Sequence, residues 1–200
     1  MTDTELPEHA GCLECIAHHE AGHLVIAAAQ KLRLRPEGLG IDPQGLGVAC
    51  YCKYPDKSVR SRERVLISTF AGFMAQKRFC EENVHPSPLV AVGWPIPLSD
   101  DLNEAWNIWP QLLDDNGATN HDRILSALEN ETAHLIEQNW PAIKGLAAAL
   151  LGKEWEALRP LKSGGRWWSE HSTKAKYVEG EEVVSRLSQY GIFAICVSDC

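Results

Sequence analysis

Apolar positions recur at helical spacing from Leu13 to Leu32, where Ile16, Ala17, Leu24, Ala27 and Ala28 fall and no proline interrupts. The spacing predicts a helix there. A second helix is predicted from Ser58 to about Glu82, with Leu66, Ile67, Phe70, Ala71, Met74, Ala75 and Phe79 as its apolar stripe. Between the two, residues 33–47 carry Pro36, Gly38, Gly40, Pro43, Gly45 and Gly47, which is loop chemistry with room for a short strand. Val48 to Tyr54 alternates as a strand, placing Val48, Cys50, Cys52 and Tyr54 on one face.

Further along, Pro86, Pro88, Pro95 and Pro97 exclude regular structure over residues 83–98. Ser99 then stands as an N-cap ahead of Asp100 and Asp101, two acids suited to the positive end of a helix. That amphipathic run reaches Trp109, and Pro110 is expected to break it. A long helix is predicted over Asn120–Asn139; Pro141 opens a new first turn and Ala142–Leu151 continues as helix. Residues 159–176, with Gly164, Gly165, Trp167 and Trp168, read as an inserted loop or flap, and Glu181–Leu187 as a last short helix. Trp106 and Trp140 fall on helical stripes and are expected in the core, whereas Trp167-Trp168 is the segment best suited to a partner or substrate surface. There is no internal repeat. The expected fold class is mainly α with a small β-sheet or hairpin, in one domain over residues 1–200 whose first 12 residues form a flexible N-terminus.

Composition changes the picture in two ways. At 200 residues and 44% hydrophobic, the chain builds a core without help from disulfides or a structural metal. Metal ligands, if present, therefore point to chemistry. The balance of 19 basic against 27 acidic residues, a formal charge of −8, argues against a nucleic-acid partner. The longest apolar run, Leu24–Ala29, is far short of the roughly 18 residues of a membrane span. The acidic N-terminus precedes no apolar segment, so no secretory signal is expected. The expectation is a cytoplasmic protein with no nucleic-acid or membrane partner. Its seven cysteines are then thiols, and Cys12-x-x-Cys15 reads as a pair of first-turn residues rather than a metal or redox pair.

The chemistry lies in His19-Glu20-Ala21-Gly22-His23, an H-E-x-x-H motif inside the first predicted helix. Residues four apart share a helix face with Cβ atoms about 5–6 Å apart, so two imidazoles can converge on one zinc. Glu20 is rotated about 100° from His19 and reaches the open coordination position, where it suits a general base on water. Gly22 costs about 1 kcal/mol against alanine in a helix and makes sense where another backbone or a substrate comes close. His18, rotated by the same angle, is expected to face solvent or to back the ligand set. A catalytic zinc takes a third protein ligand. His85, His121, His134, His171, a cysteine, Asp100 and Asp101 all qualify on these grounds.

His18-His19-Glu20-Ala21-Gly22-His23 resembles the zinc motif of the FtsH peptidase family, the proteolytic half of membrane-anchored AAA+ proteases. Leu46-Gly47-Val48-Ala49 is similar to that family's strand after the zinc helix, and Thr69-Phe70-Ala71-Gly72-Phe73-Met74-Ala75 to its next helix, with Gln76 where a glutamate is usual. Ser99-Asp100-Asp101-Leu102 resembles the segment supplying the third ligand, which implies Asp101. Leu135–Leu151 and Glu179-Gly180-Glu181-Glu182-Val183 are similar to the family's closing helices. The resemblance covers about residues 13–187 and implies a mainly helical metallopeptidase fold with one Zn²⁺ on His19, His23 and Asp101. It implies Glu20 as the catalytic base and a groove beside an edge strand that receives a peptide or unfolded-protein substrate by strand pairing. No G-x-x-x-x-G-K-[ST] loop occurs in the 200 residues, so peptide hydrolysis would be ATP-independent. The alternative expectation is a non-catalytic zinc-containing module of the same fold that binds a protein partner. Assembly into a homo-oligomer is compatible with either.

Overall fold

The computed structural model describes residues 12–52, 58–83, 105, 107–112, 121–159 and 172–198. Three helices carry the bulk of it: α1 (Leu13–Ala29), α2 (Val59–Asn83) and α3 (His121–Leu151). A small sheet is built from β1 (Leu34–Ile41), β2 (Gly47–Tyr51), β3 (Glu156–Ala157) and β4 (Lys174–Val178), and a short helix, α4 (Gly180–Ser188), follows. The mainly α class expected from the apolar spacing is what the chain forms.

α1 is the central element. Its residues from Ala17 to Ala28 are buried on nearly every side, as expected for a helix apolar all round. It packs against α2, α3, β1 and β2. Ala21, Leu24, Val25 and Ala28 from α1 share one core with Val65, Leu66, Phe70 and Ala71 from α2 and Ile143, Leu146 and Ala147 from α3. Among the described residues no helix is long and apolar enough to cross a membrane.

The sheet has the order β2-β1-β4-β3 and is antiparallel throughout. Among the described strands β2 is thus at the edge. β1 is the strand for which the sequence left room within residues 33–47, and the register explains how it accommodates Pro36 and Gly38. Leu34 pairs with Tyr51 but Leu39 with Ala49, so the ladder is interrupted between them. Pro36 and Gly38 sit inside that interruption, where a missing N–H costs no ladder bond and the φ of +68° at Gly38 is tolerated. Past Ile41 the chain turns back through Asp42, whose carboxylate accepts the Leu46 N–H at 2.8 Å. β2 itself begins at Gly47 and ends at Tyr51, short of the expected Tyr54.

Three further differences have local causes. α3 runs without a break through Pro141, because Ile136, Trp140, Ile143, Ala147 and Leu150 all bury on one side and hold the axis against the core. Residues 107–112 are helical through Pro110, anchored by the buried pair Ile108 and Leu112 four apart. β4 begins at Lys174, inside the stretch read as flap. Trp140 is in the core as expected, whereas Trp106, Trp167 and Trp168 lie outside the described side chains.

Candidate metal centre

α1 and α2 run antiparallel in a register that repeats each helical turn. Cys15 meets Cys80, His19 meets Gln76, and His23 meets Gly72. Small residues let the helices approach this closely. A Cβ on Gly22 would stand 2.7 Å from both the Ala71 carbonyl oxygen and the Ala75 Cβ, so the glycine expected to admit another backbone does so for α2. A Cβ on Gly72 would overlap the His23 ring, 2.8 Å from its Cδ2.

Within that register the two histidines of the motif face each other, with His19 Nε2 2.9 Å from His23 Nε2. Their other nitrogens are committed. His23 Nδ1 lies 2.7 Å from the Ser68 carbonyl oxygen, which accepts only, so Nδ1 carries the proton. His19 Nδ1 donates to Gln76 Oε1 at 3.0 Å. Both rings therefore turn Nε2 toward the same point, a contact that needs a proton or a cation between the two nitrogens. Donation of Nδ1–H to a carbonyl or amide oxygen is the arrangement that orients metal-ligating histidines. A tetrahedral cation with bonds of 2.0–2.1 Å holds two nitrogens about 3.3 Å apart, so the pair needs to open by only a few tenths of an ångström. The residues present fit a zinc ion.

Glu20 lies on the adjacent face of α1, 7% exposed, directly beneath β2. A Cβ on Gly47 would fall against its carboxylate, 2.6 Å from Cδ. The edge strand thus crosses the site at its one side-chain-free residue. His23 is 3% exposed, while His19 is partly open and makes an edge contact with Phe73, ring centroids 5.0 Å apart.

Of the two places expected for His18, facing solvent or backing the ligand set, the structure excludes the first. Instead of facing solvent it is buried against Phe79, ring centroids 3.9 Å apart and nearly parallel, with Trp140 tilted 5.7 Å away. Its Nδ1 donates to the Glu14 carbonyl oxygen at 2.7 Å. Burial pushes its pKa below the usual imidazole value despite that acceptor and the nearby Glu82. His18 belongs to the helix packing behind the site.

The third ligand is not supplied by the described residues, among which no group of three or more His, Cys, Asp and Glu is placed to hold a metal ion. Asp101, with Asp100, His85 and His171, lies outside them. His121 and His134 are exposed on α3, His134 beside Gln138 at 2.8 Å. Sequence reasoning assigned no role to Gln76, although its place in the family-like helix had marked it as a departure. Its hydrogen bond to His19 spans 57 positions, a pairing that only the helix register reveals. Of the cysteines, Cys12, Cys15 and Cys80 are thiols, as expected, whereas Cys52 is disulfide-bonded, which corrects the all-thiol reading at that position.

Comparison with protein-family models, with curated proteins and with solved structures finds no match for this chain.

Proposed function

We propose that the chain is an ATP-independent zinc metallopeptidase of FtsH type that hydrolyses peptide bonds in short peptides or unfolded protein. The observation that carries the reading is the convergence of His19 and His23 Nε2 at 2.9 Å, each ring fixed from behind, with Glu20 alongside. The likeness to that family remains the one stated from the motifs, and zinc is the metal this donor set suits. His19 and His23 would hold it, with Asp101 as the proposed third ligand. When bound, zinc supplies a Lewis acid that polarises a carbonyl and lowers the pKa of water to about 7.

The chain's own residues supply the rest. A peptide laid along β2 by strand pairing would run over Gly47 and so past Glu20. The Glu20 carboxylate accepts a proton from the attacking water and returns it to the leaving amine. Burial under β2 keeps bulk water from competing with that transfer.

The test is cleavage of a broad peptide library by zinc-loaded wild type and Glu20→Gln at equal zinc occupancy. The reading expects wild-type cleavage and a loss of roughly 10²–10⁴-fold in the variant. Cleavage unchanged in Glu20→Gln would remove Glu20 from the mechanism. No cleavage by zinc-loaded wild type would favour a non-catalytic module of the same fold.

A further inference from the structure

One turn from His19, the same helix register brings together three thiols that the metal reading does not use. Cys12 is the N-cap of α1, partly exposed, and Cys15 is buried in its first turn. Cys80, 1% exposed, comes from the last turns of α2, and its Sγ stands 3.2 Å from that of Cys15. Cys12, at the N-cap, stands three residues before Cys15, a spacing that puts their side chains on the same side of the first turn of α1. Cys12 Sγ donates to Glu14 Oε2 at 3.5 Å. The Cys15–Cys80 separation exceeds a disulfide bond by about 1.2 Å, within reach of a small side-chain rotation.

We propose that Cys12, Cys15 and Cys80 form a thiol–disulfide exchange site that takes a low-molecular-weight disulfide, such as oxidised glutathione, and stores the oxidation as a Cys15–Cys80 crosslink between α1 and α2. Cys12 is the entry point, because it alone of the three is partly exposed. Burial and the neighbouring thiols hold the Cys15 thiol well above the usual range, which keeps it from reacting directly with solution oxidants.

The relay balances at each step. The Cys12 thiolate attacks the small disulfide, forming a mixed disulfide and expelling one small thiolate. Cys15 passes its proton to that thiolate and attacks the Cys12 sulfur, expelling the second. Cys80 then attacks the Cys15 sulfur, and the proton it gives up returns to Cys12 as Cys12 leaves. In sum, two protein thiols are oxidised by two electrons and one small disulfide is reduced to two thiols. The product clamps α1 to α2 one helical turn from the His19–Gln76 contact. This inference does not depend on zinc or on peptidase activity.

The experiment incubates the full chain with oxidised glutathione, blocks free thiols by alkylation, and maps disulfides by mass spectrometry of the digest, with time points. The proposal expects a Cys15–Cys80 peptide pair with Cys12 alkylated at the end point. Cys12→Ser, a conservative change at a partly exposed N-cap, should slow the crosslink at least tenfold. Cys80→Ser should stop the relay at Cys12–Cys15 or at glutathionylated Cys12. Cys15 and Cys80 both still alkylated after prolonged oxidation would overturn the site. A crosslink that forms in Cys12→Ser at the wild-type rate would overturn the relay.

Discussion

The orientation of the site rests on single atoms behind the histidines. Gln76 Oε1 fixes the His19 ring so that Nε2 faces His23, and the Ser68 carbonyl fixes the His23 ring so that its Nε2 faces His19. Because Gln76 acts only through His19, its removal should loosen the metal while leaving both ligands in place. Gln76→Leu is expected to weaken zinc affinity by about 10–100-fold, and Gln76→Glu, which keeps an acceptor and adds charge, to match or exceed wild type. Competition with a chromophoric chelator reads both, and equal weakening in the two variants would remove Gln76 from the site. At Gly72 the constraint is space: a methyl group would overlap the His23 ring. Gly72→Ala should therefore displace that ring and reduce zinc binding more than it lowers stability, as the same titration beside a thermal melt would show.

Helix register is what converts sequence spacing into a site. The H-E-x-x-H pair was legible because both histidines lie on one helix, where a spacing of four fixes their geometry. The contacts across to α2 were not, since Cys15–Cys80, His19–Gln76 and His23–Gly72 depend on how two helices pack, which no local pattern encodes. Helices were read nearly to their ends, but of β1 only room for a short strand was legible, because Pro36 and Gly38 obscured its extent; both are allowed there because the ladder lapses between Leu34 and Leu39. Pro141 misled in the opposite sense: burial along one side of α3 outweighs a break worth about 3 kcal/mol. Pro141→Ala, at an exposed position, should stabilise the protein by about 1–3 kcal/mol in denaturant unfolding, and a lower midpoint would show the proline to be favourable in place. Gly22→Ala tests the α1–α2 approach. Alanine gains about 1 kcal/mol of helix propensity, yet its methyl meets Ala71 and Ala75 at 2.7 Å, so overpacking should win and lower stability by about 1–3 kcal/mol.

At the scale of the whole molecule, one buried histidine ties stability to pH. His18 has a folded-state pKa below its unfolded value of 6.5, so the unfolded chain binds the proton more readily. Its contribution is complete above about pH 6.5 and is lost as pH falls from there toward the lower folded value. His18→Phe, which keeps the stack on Phe79 and Trp140, should flatten that decline when melts are compared between pH 7 and 5 in the presence of a chelator. An unchanged slope would assign the acid sensitivity elsewhere. The sheet and the helices meet at Glu20, where an edge strand with one glycine crosses a helix carrying two oriented imidazoles. Everything proposed about activity depends on a metal between those rings. The most direct measurement is elemental analysis of zinc in wild type, His19→Ala and His23→Ala after loading and exhaustive dialysis. The account predicts about one equivalent per chain in wild type and close to none in either variant; the same metal content in all three proteins would contradict it.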